Sequence, residues 1–275
     1  MYRCKSCNSV FEKNQVSMGY CPECGRDSLM KFHDMSIIIT TKNEEYNLSR
    51  LLKSMSNIDD KVEVIIVDAG STDKTCEIAE GYDFVKLISA PSTLRGGGRN
   101  IGIKKSSGNI IVFLDADTEL TEKWYDELVD SIKRFDIVAG YSPDPDGRHL
   151  PRVPIYVDGQ DITYPTCNIA YKREIFEKVG YFREEMITAE DVELNYRCVK
   201  AGYPIFYNPE MIVYHYQRTT RKGFAKQAFW NGYGRRQLNR IHPELKHEHQ
   251  HGMGLKNIIR LGFGFLGLRL GRLFK

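Results

Sequence analysis

From residue 35 onward, short apolar runs alternate with segments of helical periodicity, and this alternation leaves few folds open to the chain. The predicted strands are residues 36–40, 62–67, 84–88, 110–114, 137–141 and 212–216. The predicted helices are residues 48–55, 74–80, 99–105, 122–134, 173–179, 190–201 and 223–241, with Asn47 and residues 71–73 as caps of the first two. Such an order favours an α/β fold, a mostly parallel sheet with helices on both faces.

The first 33 residues have a different character, because two Cys-x-x-Cys pairs lie close together in them. The pairs are Cys4-Lys-Ser-Cys7 and Cys21-Pro-Glu-Cys24. Four thiolates with this spacing predict a closed, structural zinc site, and two disulfides are the alternative. We therefore predict three units: a zinc ribbon at 1–33, the α/β domain at 34–222, and a basic, partly amphipathic helical region at 223–275.

The composition indicates a globular protein whose basic C-terminal end suits an anionic partner. The chain has 275 residues, 41% of them hydrophobic, and a net charge of +3. Basic residues concentrate after Arg218, and residues 255–274 mix apolar and cationic side chains. This tail is predicted to lie on an anionic membrane surface, with docking on the protein core as the alternative.

The isolated cysteines and the lack of long apolar segments indicate the cellular compartment of the protein. The other three cysteines stand alone, which favours a reducing compartment. The sequence begins without a signal-like segment, and it contains no apolar run long enough to span a membrane. We expect a cytoplasmic protein that binds peripherally to the cytoplasmic face of the membrane.

Polar residues follow three of the predicted strands. The segments are Thr40-Thr41-Lys42-Asn43-Glu44, the loop from Asp68 to Asp73, and Asp115-Ala116-Asp117. Each alone is compatible with ordinary turn chemistry. In a parallel sheet, however, the carboxyl ends of the strands form the ligand-binding edge. Paired aspartates there predict a site for Mg²⁺ or Mn²⁺, which would bridge to a diphosphate.

Several motifs share one register. They are SIIITTKNE at 36–44, VDAGSTDKT at 67–75, RNIG at 99–102, GNIIVFLDAD at 108–117 and AED at 189–191. This set closely resembles family 2 glycosyltransferases over roughly residues 35–216. The resemblance implies the GT-A fold. It also implies the transfer of a sugar from a nucleotide-diphosphate donor, either UDP- or GDP-linked.

The resemblance also implies roles for individual residues. The positions that match donor-binding residues of the family are Thr40, Glu44, Asp68, Arg99 and Asp115. Asp117 matches the direct metal ligand, and His215 matches a further ligand. For His215, a packed histidine within the sheet is the alternative.

Asp191 matches the catalytic base of the family. In an inverting transfer, a carboxylate accepts the proton of the attacking hydroxyl group. The alternative is that Glu190 and Asp191 only stabilise a helix N-terminus electrostatically. A polyprenyl phosphate acceptor would need no base, whereas a saccharide hydroxyl would.

Some positions depart from the family pattern or suggest other functions. Thr40 and Ala69 replace a frequent proline and aspartate, which leaves the nucleoside preference open. Residues 95–99, Arg-Gly-Gly-Gly-Arg, are predicted to form a flexible cover over the donor. Thr-Lys-Asn-Glu after the first strand disfavours a sugar-phosphate nucleotidyltransferase.

The functional prediction is a metal-dependent, inverting glycosyltransferase that acts on a lipid-linked acceptor. The alternative is a catalytically inert domain whose zinc ribbon docks on another protein. The ribbon contains few basic residues, so a nucleic-acid partner is not expected.

Overall fold

The computed structural model describes residues 2–4, 6–7, 9–11, 15–16, 20–26, 29–31, 33–58, 61–147, 154–216 and 221–247. For residues 3, 10, 29–31, 221–228 and 246–247 the description covers the backbone alone. The predicted membrane-binding tail at 255–274 and Arg218 lie outside the described residues.

The N-terminal segment forms a small antiparallel sheet of its own. Its strands are β1 Tyr2–Cys4, β2 Val10–Phe11 and β3 Leu29–Lys31, in the order β2-β1-β3. The first Cys pair begins at the end of β1, and the second pair lies before β3. Both pairs therefore flank the same short sheet.

The rest of the described chain is built around one sheet of eight strands. Its strands are β4 Met35–Thr41, β5 Val62–Asp68, β6 Val85–Ser89, β7 Ile110–Asp115, β8 Thr118–Leu120, β9 Ile137–Tyr141, β12 Asn168–Lys172 and β13 Ile205–His215. A separate hairpin consists of β10 Tyr156–Val157 and β11 Gln160–Asp161. The helices are α1 Glu45–Ser54, α2 Thr75–Glu80, α3 Arg95–Lys105, α4 Trp124–Ile132, α5 Glu174–Val179, α6 Glu190–Lys200 and α7 Arg221–Ile241, followed by a 3-10 turn at Pro243–His247.

The strand directions place most carboxyl ends at one edge of the sheet. The strand order is β6-β5-β4-β7-β12-β9-β13-β8. Strands β6, β5, β4 and β7 are mutually parallel, and β9 is parallel to β13. Because β12 runs antiparallel to both β7 and β9, these two groups point the same way. The mostly parallel, helix-covered sheet predicted from the sequence is confirmed.

Apolar side chains cover both faces of the sheet, which explains why the central strands are continuous apolar runs. On one face, Ile37 and Ile39 pack in a cluster with Leu48 of α1 and Trp124 of α4. On the other face, Ile38 belongs to a cluster that includes residues of α5, α6 and α7. The sheet is therefore the middle layer of three.

The prediction missed strand β12, which begins at the polar residue Asn168. Asn168 is buried, and its Oδ1 accepts a hydrogen bond from Trp124 Nε1 at 2.9 Å. Its Nδ2 donates to the carbonyl oxygens of Met211, at 2.8 Å, and Tyr141, at 3.1 Å. A buried amide with every partner supplied by distant segments has no local sequence signal.

Strand β13 begins earlier than the predicted 212–216. The register of its pairing with β9 shifts between Asn208 and Ile212, and Pro209 lies within this irregularity. A proline cannot donate to the ladder, so it is tolerated at such a bulge. Strand β8 and the β10–β11 hairpin were also missed in sequence.

Two local predictions about helices were wrong. The flexible cover expected at residues 95–99 is the first turn and a half of α3, and Gly96, Gly97 and Gly98 are buried in it. A Cβ atom on Gly102 would lie 2.4 Å from Ile38 Cγ2, so α3 packs directly on the sheet. Helix α1 begins at Glu45 with Glu44 in the cap position, whereas Asn47 had been expected there.

Candidate functional site

The loop after β5 is organised around the buried carboxylate of Asp68. Its Oδ2 accepts hydrogen bonds from the backbone N–H groups of Gly70, at 3.0 Å, and Ser71, at 2.9 Å. Its Oδ1 accepts from the hydroxyls of Thr41, at 3.2 Å, and Ser71. Burial acts to raise the pKa of Asp68, but these hydrogen bonds outweigh it and lower the pKa. Asp68 is therefore an anion that holds the shape of its own loop.

The loop after β4 is joined to the loop after β5 by hydrogen bonds in both directions. The backbone N–H of Asn43 donates to Ser71 Oγ at 2.9 Å, and Asn43 Oδ1 accepts from the N–H of Thr72 at 2.8 Å. The N–H of Glu44 donates to Thr75 Oγ1 at 2.8 Å. Thr40, Glu44 and Asp68, which were predicted to bind the donor, thus belong to one connected edge of the sheet.

Asp115, Asp117 and His215 come together beside this edge. One potential ligand atom from each lies within 4.8 Å of those from the other two. His215 Nε2 is 3.2 Å from Asp117 Oδ1. Strand β8 follows the aspartates and pairs with the end of β13, so that His215 is opposite Thr118. Two carboxylates and one imidazole form a ligand set that suits a divalent cation such as Mn²⁺.

The imidazole of His215 lies in a negatively charged setting. Burial works against its charged form, but contacts with Cys167 and Asp117 raise the pKa of His215 to about 12. A divalent cation would compete with this proton, because a metal-bound histidine must be neutral. Cys167 was not among the predicted site residues. An isolated cysteine carries no sequence motif that would have indicated its position beside His215.

Arg99 links three elements of the site. Its side chain is 3% exposed; Nη1 is 2.5 Å from Glu190 Oε1, and Nη2 is 3.3 Å from Asp115 Oδ1. Arg99 is on α3, Asp115 is at the end of β7, and Glu190 begins α6. The guanidinium therefore neutralises part of the acidic cluster. Glu190, to which the sequence assigned no role of its own beyond the AED motif and the alternative of a charge at the helix N-terminus, is the buried partner of this arginine.

Asp191 lies in the first turn of α6, next to Glu190. Its side chain is half-buried, and Oδ1 accepts a hydrogen bond from the N–H of Val192 at 2.8 Å. Burial and the negative charge of Glu190 raise the pKa of Asp191 to about 6, while Arg99 acts in the opposite direction. A carboxylate with this pKa is ionised at neutral pH and is a better proton acceptor than an ordinary aspartate.

The four N-terminal cysteines form a second cluster, on the small sheet. Their sulfur atoms all lie within 4.8 Å of one another, and the distances Cys4–Cys24 and Cys7–Cys21 are both 3.6 Å. A disulfide requires about 2.05 Å. A tetrahedral ion with Zn–S bonds of about 2.3 Å separates its sulfur ligands by roughly 3.8 Å. The cluster therefore has the dimensions of a Cys₄ zinc site rather than of disulfides.

We predict that removing the cation at Arg99 strongly destabilises the fold. In Arg99→Met, Glu190 becomes a buried carboxylate without a counter-ion, which should lower the free energy of unfolding by about 3–5 kcal/mol. The double variant Arg99→Met/Glu190→Gln should recover part of this loss, because the uncompensated charge is gone. Urea denaturation measures both values.

The control is Lys133→Ala, which removes an ion pair with Asp130 whose side chains are 66% and 76% exposed. This pair should contribute no more than about 1 kcal/mol. Equal losses in Arg99→Met and in the double variant would contradict the proposed compensation.

Comparison with known proteins places this site in a family. The family model described as glycosyl transferase family 2 matches residues 36–180, more than half of the 275 residues. Glycosyltransferase AglE of Haloferax volcanii is 30% identical over 213 residues, which cover 70% of each protein. The matches to two further relatives span 55% and 46% of those proteins.

Solved structures share the fold. S. aureus TarS 1–349 in complex with UDP has a TM-score of 0.57 at 21% identity, over 73% of this chain and 65% of that one. Mannosyltransferase PcManGT from Pyrobaculum calidifontis, in complex with GDP-Man and Mn²⁺, has a TM-score of 0.60 at 19% identity, over 88% and 74% of the two chains. The chain therefore belongs to glycosyl transferase family 2, and it is a glycosyltransferase with the GT-A fold that its sequence predicted.

Proposed function

We propose that the protein transfers a sugar from a UDP- or GDP-linked donor and that it requires Mg²⁺ or Mn²⁺. The observation that carries this proposal is the cluster of Asp115, Asp117 and His215, whose ligand atoms lie within 4.8 Å of one another. The UDP complex of TarS and the GDP-Man and Mn²⁺ complex of PcManGT support it by similarity. The family assignment gives no support to an inert domain.

The proposed metal ligands are Asp117 and His215, with Asp115 beside them. When bound, the cation offsets the negative charge that grows on the departing nucleoside diphosphate. Arg99 restrains Asp115 through their 3.3 Å contact. This restraint keeps the carboxylate oriented before the donor arrives, so that less reorganisation is required during the reaction.

The proposed donor pocket consists of Thr40, Glu44, Asp68, Arg99 and Asp115. The segments that follow β4 and β5, next to the first three of these residues, are hydrogen-bonded to each other, so the protein's own contacts hold their shape. Asp68 directs both carboxylate oxygens to its own loop and to Thr41. Its contribution to nucleoside binding would therefore be exerted mainly through the shape of the loop.

Asp191 is the proposed catalytic base of an inverting transfer. In this reaction an acceptor hydroxyl attacks the anomeric carbon from the face opposite the diphosphate, and Asp191 accepts the hydroxyl proton. Positive charge develops on the sugar ring in an oxocarbenium-like transition state. The neighbouring carboxylate of Glu190 is held by Arg99 and is not available for this role.

The lipid-linked acceptor, the membrane contact of residues 255–274 and the cytoplasmic location stay predictions. Among residues of the chain whose structure is described, no helix is long and apolar enough to cross a bilayer. The division into units at 1–33, 34–222 and 223–275 is likewise a proposal. So is a docking or self-association role for the N-terminal unit.

The metal site predicts cation-dependent binding of nucleoside diphosphate. Calorimetry should detect UDP or GDP binding that strengthens when MnCl₂ is added. In Asp117→Ala this enhancement should fall by about tenfold or more, because a direct ligand is lost. The control Asp130→Ala removes an exposed aspartate that pairs with Lys133 and does not belong to the cluster, and it should behave as the wild type. Manganese-independent binding in the wild type would contradict the proposal.

The raised pKa of Asp191 predicts a pH dependence. Below pH 6 the carboxylate becomes protonated and can no longer accept a proton, so kcat/KM should fall tenfold per pH unit, with a plateau above the pKa of about 6. Asp191→Asn should lose roughly 10²–10⁴-fold in turnover with unchanged diphosphate binding. Full turnover in Asp191→Asn would exclude this base and favour a phosphate acceptor, which is already ionised.

We further propose that Cys4, Cys7, Cys21 and Cys24 hold one structural Zn²⁺. Metal analysis of the purified protein should return one equivalent of zinc, and Cys21→Ser should lose it, because a closed site needs all four thiolates. Cys76→Ser is the matched control, since this isolated cysteine should leave the zinc content intact. A zinc-free wild type, purified without chelator, would refute the assignment.

A further inference from the structure

The segment that delivers Asp191 to the site has an unfavourable backbone conformation. Ala189 occupies the cap position of α6 with φ +64° and ψ +18°, in the left-handed region. This conformation is strained for a residue that has a Cβ atom. No side chain caps the helix at this position. Contacts from elsewhere must therefore hold residues 185–189 in place.

Helix α7 supplies those contacts. Gln237 Oε1 accepts a hydrogen bond from the N–H of Ile187 at 3.1 Å, and Gln237 Nε2 donates to the carbonyl of Glu185 at 3.2 Å. One side-chain amide thus bridges two backbone groups of the segment. In addition, the hydroxyl of Thr188 donates to the carbonyl of Trp230 at 2.8 Å.

Gly234 allows α7 to approach the segment this closely. A Cβ atom at this position would lie 2.0 Å from Thr188 Oγ1 and 2.6 Å from the Thr188 carbonyl oxygen. Neither distance is compatible with any side chain. The absence of a Cβ therefore sets the separation at which Gln237 can reach the backbone of Ile187.

The same region of the chain also contacts α6 between two and five residues beyond Asp191. His242 Nε2 is 3.1 Å from Oε1 of Glu193, a residue with no exposed side-chain surface. The ring of His242 lies 4.2 Å from the ring of Tyr196, measured between centroids. Leu238 of α7 is buried in the core cluster that contains Leu194 of α6. Asp191 is therefore flanked in sequence by contacts with α7 on one side and with α7 and the adjoining His242 on the other.

We infer that Gln237 is a positioning residue for catalysis, which acts by holding residues 185–189 so that Asp191 faces the acceptor. This inference rests on the proposed role of Asp191 as the base. A base displaced by about 1 Å loses much of its effectiveness, whereas donor binding depends on other elements. The C-terminal helix thus takes part in the reaction as well as covering the core.

The test compares Gln237→Met, which removes both hydrogen bonds at similar volume, with Gln237→Glu, which keeps an oxygen acceptor for the N–H of Ile187. We expect Gln237→Met to lower kcat roughly 10- to 100-fold without weakening diphosphate binding measured by calorimetry. Gln237→Glu should retain a larger part of the activity. Asn231→Met, on the exposed side of the same helix, is the matched control and should keep wild-type turnover.

A second measurement separates positioning from a general loss of structure. In the Asp191→Asn background, adding Gln237→Met should not lower the residual turnover further, because the group that it positions is already gone. A further drop in that background, a parallel loss of diphosphate affinity, or wild-type kcat in Gln237→Met would each overturn the inference.

The two proposals fail in different ways. If Asp191→Asn keeps full turnover, the assignment of the base fails, and with it the role of Gln237. If Asp191→Asn is inactive while Gln237→Met has wild-type kcat, the base stands and only the inference about α7 fails.

Discussion

Four carboxylates lie near the carboxyl ends of the central strands, and the rest of the site depends on the positive groups that offset their charge. The four carboxylates belong to Asp115, Asp117, Glu190 and Asp191. Arg99 contacts two of them and His215 contacts a third. Like charges this close repel strongly when they are shielded from water. The edge is thus prepared for further positive charge, which a divalent cation on the diphosphate would bring.

Arg99 is able to act in this way because of how α3 packs. Gly98 and Gly102 permit the helix to lie directly on β4, because Cβ atoms there would lie 3.0 Å from Thr40 Cγ2 and 2.4 Å from Ile38 Cγ2. The buried guanidinium then reaches both the end of β7 and the start of α6. Packing and electrostatics are therefore linked. A bulkier helix would stand farther from the sheet and would separate the cation from Glu190 and Asp115.

The reversed strand β12 explains how distant residues reach the same edge. It allows β9 and β13 to continue in the direction of β7, so the end of β13 brings His215 beside Asp117. Helix α7 then follows and contacts the segment in which Ala189 is strained. Strain in such a segment persists only where surrounding contacts hold it. The C-terminal half of the chain thus completes a site that the N-terminal half begins.

The sequence alone determined the features that depend on neighbours in the chain. Apolar runs predicted the central strands, and polar residues after them predicted a site at the carboxyl ends of the strands. The spacing of four cysteines predicted a cluster able to hold one metal ion. Only the tertiary structure decided the partner of Arg99, the surroundings of His215 and the strand that begins at Asn168. It also decided the hydrogen bonds of Gln237 to the segment before α6. Each of these depends on a contact between segments far apart in sequence. Local periodicity carries no information about such contacts, because they arise from packing of the whole domain.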